Sequence, residues 1–360
     1  MCGRIYACST APVVSHSIMI PHSRPVFGKA FEDAMIRIVE SGHVAMGGEA
    51  LTLERQVARL VQKESAVAVD SGTSAISLVL RALARGKGVN RVGIPAYCCS
   101  SVLYAVQAAG YEAVCMDCGE DLRLIPELAL KQAESLDAVI MVHPFGMIEP
   151  MIAESWPCPV IEDIAQAAGA ELDGKPVGSF GDVTIASFYA TKPWGGAYGG
   201  MVASDDHALC EAIKIMRDPD GAIQVQNYAG HHQLSDLLAG MASVRLKFAA
   251  DEQNSREALT HVMDGWFGSG SVVPVAGMHH GNHYRYIVRT AGEAESFINR
   301  LMQHGVAAAR PVTTPISRLL GVDSPGAEKA WLDSVSLPVL ADISEAELEQ
   351  YKNAVESCIS

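Results

Sequence analysis

Basic side chains are scarce in this chain relative to acidic ones. Its 360 residues include 27 Lys and Arg against 41 Asp and Glu, which gives a formal net charge of −14, and no basic block offsets it. A surface of that sign repels nucleic-acid backbones and anionic lipids. The composition therefore argues against non-specific binding to nucleic acid or to an acidic membrane, although a locally basic pocket could still take a small anion.

Long apolar runs are also missing. No charge-free stretch approaches the roughly 18 residues that a membrane helix requires. The first 17 residues include Arg4 but no compact hydrophobic region, so a secretory signal is not expected, and residues 1–18 are predicted to be a flexible tail. These features favour a cytoplasmic location.

Cysteines are scattered along the chain. There are nine, an odd number, and Cys115 and Cys118 form one CxxC motif without a second pair at zinc-binding spacing. We therefore expect no metal site. Reduced, mostly buried thiols fit a cytosolic setting.

What remains is the composition of an ordinary globular protein, 49% apolar and 19% charged. Short apolar strands alternate with helices, which predicts an α/β fold with a mostly parallel sheet covered on both faces. The expected strands cover residues 66–69, 91–94, 112–116, 138–142, 160–162 and 183–186. The pattern changes after about residue 230. We expect a large α/β domain over 19–240 and a smaller C-terminal α+β domain over 241–360.

Ligands of such a sheet collect beyond the carboxyl ends of its strands. The turn at Ser71-Gly72-Thr73 follows the first strand and precedes a helix, where free N–H groups suit a phosphate. Simple capping of the helix by Ser71 and Thr73 explains the same residues equally well. His143 follows another strand, and a structural role is the simpler interpretation for it.

The most informative segment places a carboxylate and a lysine after two successive apolar strands. The first strand leads to Asp163 and Gln166, and the second leads to Ser187 and Lys192. A Schiff-base lysine and an aspartate at the pyridinium nitrogen are the protein partners of pyridoxal 5'-phosphate (PLP). Aromatic residues and glycines around Lys192 should reduce hydration of its amine and make it a better nucleophile. The pattern therefore predicts PLP as the cofactor.

The order and spacing of these motifs resemble the DegT/StrS-type sugar aminotransferases, PLP enzymes of fold type I, over about residues 20–360. The matching segments are "SGHVAMGGEALTLERQVARLV" at 41–61, "DSGTSAISLVLRAL" at 70–83, "HPFG" at 143–146, "IEDIAQAAGA" at 161–170, "GSFGD" at 178–182, "SFYATK" at 187–192 and "SLP" at 336–338. The resemblance implies a central sheet of the seven-stranded type flanked by helices, with the smaller domain beside it.

The resemblance also implies roles for individual residues. Lys192 would form the internal aldimine and then shuttle a proton, Asp163 would keep the ring nitrogen protonated, and Gln166 would approach the phenolic oxygen. The phosphate would be held by Ser187 with Gly72, Thr73 and Ser74. The substrate contacts implied are Tyr189, Arg217, Asn227 and Tyr228.

The chain departs from the family pattern at several positions. A Gly-Ala-Tyr-Gly-Gly run occupies 196–200, where the family has a Gly-Glu-Gly-Gly-like run. His231 and His232 stand where the family has an Asn-Tyr-Arg motif from the neighbouring subunit, so either histidine could replace the Asn contact to phosphate. The position of the ring-stacking aromatic is occupied by Cys99, with Tyr97 as a nearby substitute.

Lysine at 192, where a dehydratase branch of the family has histidine, favours transamination. The implied reaction moves an amino group from an amino acid, commonly glutamate, to a keto sugar that is usually nucleotide-linked, in a homodimer with shared active sites. Two alternatives remain open at this point. One is a different PLP reaction, such as elimination, dehydration or carbon–carbon bond chemistry, and the other is a non-catalytic PLP-binding regulatory protein.

Overall fold

The structure, a computed structural model, describes residues 19–84, 90–218, 220, 230–268 and 270–359. The predicted tail over residues 1–18 lies outside this description. The strands in chain order are β1 (Ser65–Val69), β2 (Arg91–Pro95), β3 (Glu112–Met116), β4 (Ala138–Val142), β5 (Val160–Asp163), β6 (Glu171–Leu172), β7 (Lys175–Pro176), β8 (Val183–Ser187), β9 (Gly200–Ser204), β10 (Val273–Pro274), β11 (Tyr286–Arg289) and β12 (Ser334–Leu337).

In the described part of the chain, two helices precede the first strand, one follows the last, and the others lie between strands. They are α1 (Lys29–Ser41), α2 (Gly48–Leu60), α3 (Gly72–Leu83), α4 (Ser100–Ala109), α5 (Pro126–Ala133), α6 (His207–Arg217), α7 (Asp236–Asp264), α8 (Ala294–Gln303), α9 (Ile316–Leu320), α10 (Pro325–Asp333) and α11 (Glu345–Ile359). Among the described residues, none of these helices combines the length and the apolar character needed to cross a membrane.

The main sheet confirms the predicted mostly parallel α/β fold. Within the described chain it has seven strands in the order β1-β9-β8-β5-β4-β2-β3, and only β9 runs antiparallel to its neighbours β1 and β8. The six predicted strands all form, but β9 was not predicted. Its start at Gly200 follows a glycine-rich run, so local propensity favours a loop there, and pairing on both sides overrides that preference.

Most residues of these strands are apolar because helices cover both faces of the sheet. Every residue of β4 is buried. In β1, Val67 and Val69 belong to a core shared with α3, α4 and α6, whereas Ala66 and Ala68 pack with α2 and α7 on the opposite face. This alternation follows from the two-residue period of a strand.

The C-terminal part contains a separate antiparallel sheet formed by β10, β11 and β12. The strands expected near residues 285–288 and 335–338 and the final helix are therefore found. The expected division at residue 240 falls inside α7, and Ile20 pairs with Val306 of the C-terminal part, so residues near 20 lie against that part. The division of the chain into two domains stays a prediction.

The start of β9 comes very close to the turn that precedes α3. A Cβ added to Gly200 would lie 2.3 Å from the carbonyl carbon of Ser71. Glycine is therefore required there, because this separation is far below van der Waals contact and the obstacle is backbone that cannot rotate away.

We predict that Gly200→Ala lowers the free energy of unfolding by about 1–3 kcal/mol or more, as overpacking does in other cores. Urea denaturation followed by circular dichroism measures the change. Gly48→Ala is the matched control, since nothing lies within 4 Å of the position its Cβ would take. Equal stability of the two variants would contradict the close approach of β9 and the α3 turn.

Candidate active site

A cavity of about 310 Å³ opens beyond the carboxyl ends of β1, β5 and β8. Its size is within the range of small-molecule and cofactor sites. The sequence-predicted residues that line it are Gly72, Thr73, Cys99, Asp163, Gln166, Ser187, Tyr189 and Lys192. Parallel strands and their loops thus bring together side chains that are far apart in the sequence.

One end of the cavity is formed by the first turn of α3. The hydroxyl of Ser71 accepts a hydrogen bond from the N–H of Ser74 at 3.1 Å, so Ser71 caps the helix, and Ser74 is engaged in that cap. Gly72 lies against Ser187, because a Cβ on Gly72 would be 3.3 Å from the Ser187 Cβ. The first-turn N–H groups and the positive end of the helix dipole make this end suitable for an anion.

Asp163 lies in the cavity wall at the end of β5. Its side chain is buried, and one carboxylate oxygen accepts a hydrogen bond from the N–H of Ala165 at 2.9 Å. Burial raises the pKa of Asp163, while the Ala165 N–H and the charge of Lys192 act in the opposite direction. A cationic group placed beside this carboxylate would strongly favour its ionised form.

His143 lies behind Asp163 and does not line the cavity. Its Nδ1 accepts a hydrogen bond from the N–H of Glu149 at 3.0 Å, so its proton resides on Nε2, which is 3.0 Å from the carboxylate of Glu162. The ring has no exposed surface. The structure therefore agrees with the structural role expected for this histidine.

Gln166 is oriented by the backbone. Its side-chain oxygen accepts a hydrogen bond from the N–H of Phe145 at 2.7 Å. Because the oxygen is used in this way, the amide –NH₂ is the group left to donate toward the cavity. That polarity suits an acceptor such as a phenolic oxygen.

Lys192 lies where three cavities meet. It lines the 310 Å³ cavity, a neighbouring cavity of about 400 Å³ and a third of about 220 Å³. Its Nζ is 5.6 Å from the ring centroid of Tyr284, a residue of the C-terminal part of the chain. The amine is therefore accessible from several directions while aromatic surface covers one side.

Tyr284 and Arg285 border two of the cavities that Lys192 lines, and the sequence did not mark them as candidates for the site. Burial would raise the pKa of the Tyr284 hydroxyl, but the charges of Lys192 and Arg285, with hydrogen bonds from Thr191 and Arg285, hold the pKa below its usual value. Arg285 also donates to the Ser23 hydroxyl at 2.7 Å. No local motif marks these residues, because only the tertiary fold brings them to Lys192.

Several predicted site residues lie away from the described cavity. Tyr97 is in the core, where it packs edge-on against Phe145 with centroids 5.9 Å apart, so Cys99 alone of this pair lines the cavity. His232 lies 3.3 Å from Asp70, and neither it nor His231 reaches the cavity within one chain. Asn227 and Tyr228 lie outside the described residues.

Arg217 does not line the described cavities. Its guanidinium donates to Glu54 at 2.7 Å and to the backbone oxygen of Ala68 at 2.9 Å, and both charged side chains are buried. The predicted substrate contact is therefore not found in this structure. The physical reason is that the guanidinium is held beneath β1 by the Glu54 carboxylate and the Ala68 oxygen, away from the cavities.

The residues around the 310 Å³ cavity fit PLP. An anion-binding helix end, a buried carboxylate, an amide donor and an amine line one space, and each corresponds to a group of that cofactor. The glycine at 72 keeps the wall at the helix end free of side-chain atoms.

The chain is similar in sequence to aminotransferases. A sequence model described as the DegT/DnrJ/EryC1/StrS aminotransferase family matches residues 25–356. The chain is 27% identical to dTDP-3-amino-3,6-dideoxy-alpha-D-galactopyranose transaminase of Aneurinibacillus thermoaerophilus, over 91% of this chain and 95% of the relative. It is 28% identical to a UDP-N-acetyl-3-dehydro-alpha-D-glucosamine 3-aminotransferase of Acidithiobacillus ferrooxidans, over 89% and 91%.

Solved structures share the fold. PseC of Helicobacter pylori, an aminotransferase involved in the biosynthesis of pseudoaminic acid, superposes with a TM-score of 0.83 at 20% identity and covers 95% of this chain and 99% of its own. The PLP form of the putative sugar aminotransferase Spr1654 from Streptococcus pneumoniae has a TM-score of 0.84 at 22% identity, over 95% and 100%. At these identities the similarity establishes the fold type.

We predict that Arg217→Met lowers the free energy of unfolding by about 3–5 kcal/mol, because it leaves the Glu54 carboxylate buried without its cation. Urea denaturation measures the loss. Lys214→Met on the same helix is the control, and its exposed pair with Glu211 is expected to contribute about 0–1 kcal/mol. A stable Arg217→Met protein with weakened substrate binding would instead restore the substrate role predicted from the sequence.

Proposed function

The chain belongs to the DegT/DnrJ/EryC1/StrS aminotransferase family and is a PLP-dependent aminotransferase, and we propose that its amino-group acceptor is a keto sugar. We further propose that this sugar is linked to a nucleotide and that glutamate is the amino donor. The observation that carries the proposal is the meeting of Lys192, Asp163 and the N-terminus of α3 at one cavity. The names of the two relatives, both transaminases of nucleotide-linked sugars, support the acceptor class.

Bound PLP supplies an aldehyde that takes up an amino group and a protonated ring that withdraws electrons from it. The proposed roles of the chain follow from the positions of its side chains. Asp163 would hold a proton at the ring nitrogen, and Gln166 would donate its amide N–H to the phenolic oxygen. Lys192 would hold the cofactor through its Nζ, and the same amine would accept and return a proton at the substrate carbon.

Binding and orientation of the cofactor phosphate are assigned to Gly72, Thr73 and Ser187 at the start of α3. Ser74 stays a predicted contact of the same turn through its backbone. The rings of Tyr189 and Tyr198 pack edge-to-face beside this end of the cavity, with centroids 6.0 Å apart, and both side chains are half exposed. We propose that they shield the bound cofactor from water and provide a surface for the sugar.

Basic residues next to Lys192 support a diphosphate-linked acceptor. The 400 Å³ cavity includes Lys29, Arg245, Arg256 and Arg285 in its wall, although the chain as a whole is strongly acidic. A cluster of cations in a cleft attracts an anionic substrate locally, even when the net charge of the whole protein is negative. Carboxylates in the same wall pair with part of this charge, so a ligand would compete with them.

A homodimer with shared active sites is part of the proposal. Ile36 and Val39 on α1 and Leu51 on α2 expose apolar side chains of the kind that a second copy covers. His231 and His232 of a second copy would then be the candidates for a phosphate contact. The cytoplasmic location stays a prediction.

The proposed reaction is tested by incubating the purified holoenzyme with ¹⁵N-labelled glutamate and a nucleotide-linked keto sugar. We expect ¹⁵N in the sugar product and 2-oxoglutarate in equal amount, because transamination exchanges an amino group for a carbonyl oxygen. The same keto sugar without its nucleotide should react much more slowly. A sugar product without nitrogen would contradict the proposal and indicate elimination or dehydration instead.

Lys192→Ala is the control for this assay. It should lose both the visible absorbance of the bound cofactor and ¹⁵N transfer, because the amine that attaches the cofactor is gone. Lys175→Ala is the matched control and should keep both signals, since Lys175 is exposed and lines none of the three cavities that Lys192 borders. Full activity of Lys192→Ala would contradict the assignment of this lysine.

We predict that Asp163→Asn slows turnover by about 10²–10⁴-fold while much of the cofactor stays bound, because the amide cannot keep the ring nitrogen protonated. Single-turnover kinetics with glutamate measure the rate, and absorbance after gel filtration measures cofactor retention. Glu162→Gln, one residue earlier but facing away from the cavity, should reduce stability more than the rate. A near-normal rate in Asp163→Asn would contradict the role of this carboxylate.

A further inference from the structure

A group of histidines lies outside the active site, where the end of α7 meets the segment before β11. His261 and His279 stack with ring centroids 5.0 Å apart and an interplanar angle of 10°. His283 completes a triangle, at 6.0 Å from His261 and 5.6 Å from His279. Three imidazoles are thus gathered in one place, and a neutral imidazole has one unprotonated ring nitrogen that can bind a metal ion.

Asp264 adds a carboxylate to the cluster. Its Oδ2 is 3.1 Å from Nε2 of His279 and 3.6 Å from Nδ1 of His261. Two donors that bind one zinc ion at about 2.0–2.1 Å with tetrahedral angles stand about 3.3–3.4 Å apart. The observed separations bracket that value, and all three donor atoms lie within 4.8 Å of one another.

We propose that His261, Asp264 and His279 bind a single divalent transition-metal ion of the zinc class. Two imidazoles and one carboxylate form a donor set that such ions prefer, with a fourth position open to water. The three side chains are between one third and three fifths exposed, so the ion has a direct path from solvent. Binding requires neutral His279 with its proton on Nδ1, which frees Nε2 for the metal.

Neighbouring groups orient the donors, as outer-shell partners do in metal sites. The hydroxyl of Tyr286 donates to Oδ1 of Asp264 at 2.8 Å and leaves Oδ2 for the ion. The carboxylate of Glu257 lies 3.7 Å from Nε2 of His261, the nitrogen that keeps its proton when Nδ1 coordinates. The Asp264 carboxylate and the His261 ring therefore each have a polar partner that helps to orient them.

The backbone that supplies His279 is fixed in place. The carbonyl of His280 accepts a hydrogen bond from the N–H of Ile148 at 2.9 Å, and the N–H of Asn282 donates to the carbonyl of Gly146 at 3.0 Å. The chains approach so closely at Gly281 that a Cβ there would lie 1.8 Å from the Gly146 oxygen. The backbone of this segment is thus held before an ion binds, and only the stacked rings of His261 and His279 must turn to direct their in-plane lone pairs at one ion.

The bound ion would connect α7 to the wall of the active site. Asn282, three residues after His279, donates to the backbone oxygens of Gln166 and Ala168 at 3.1 and 2.9 Å. Tyr284 follows beside Lys192. An ion held by His261, Asp264 and His279 would thus stabilise the segment that covers the reactive amine.

Isothermal titration of chelator-treated holoenzyme with zinc chloride tests the proposal. We expect one ion per chain, and at least tenfold weaker binding in His279→Ala and in His261→Ala. Tyr286→Phe keeps the ring and removes only the hydroxyl, so it should weaken binding roughly tenfold. His280→Ala is the matched control, because His280 is the exposed neighbour of His279 outside the donor set, and its affinity should be unchanged.

A second measurement reads the donor set directly. Replacement of zinc by Co²⁺ should give the intense visible absorption of a four-coordinate site in the holoenzyme and in His280→Ala, after subtraction of the cofactor spectrum, but not in His279→Ala. Circular dichroism confirms that each variant is folded. Failure of the holoenzyme to bind zinc would overturn the proposal, as would zinc affinity in His279→Ala equal to that of the unmodified protein.

Discussion

A buried carboxylate at the end of a central strand sets the requirements for the active site. Asp163 lies at the carboxyl end of β5, where solvent reaches little of its side chain. Removal from water disfavours its charged form and raises its pKa. The cavity compensates with the Ala165 N–H and the charge of Lys192, and a protonated ring nitrogen would complete this compensation.

The adjacent carboxylate has the opposite function. Glu162 points away from the cavity because successive side chains of a strand alternate between faces. It accepts hydrogen bonds from the N–H groups of Gly178, Phe180 and Gly181 at 2.6, 3.1 and 2.8 Å. Burial opposes its ionisation, but His143 and these N–H groups hold its pKa below the usual range. The Glu162 carboxylate thus has its hydrogen-bond partners within the protein, whereas the Asp163 carboxylate remains available to a ligand.

The C-terminal part of the chain completes the site from a distance. Tyr284 and Arg285 reach Lys192 because residues 280–285 are bound along residues 145–148, which follow β4. The His261, Asp264 and His279 cluster lies at the other end of the same segment. This segment therefore joins the end of α7 to the surroundings of the Lys192 amine.

The sequence alone determined the α/β class, six of the strands in the main sheet and the residues that follow them, including Asp163, Gln166, Ser187 and Lys192. These are local signals, since apolar runs and the motifs at their ends are contiguous in the chain. Only the tertiary structure decided that Gly200 begins a paired strand and that Arg217 forms a buried ion pair with Glu54. It also decided that Tyr97 is a core residue and that Tyr284 lies beside Lys192. Each of these features depends on contacts between residues far apart in the sequence. Packing of the folded chain determines which residues meet, and the local sequence contains no periodic pattern that would predict these contacts.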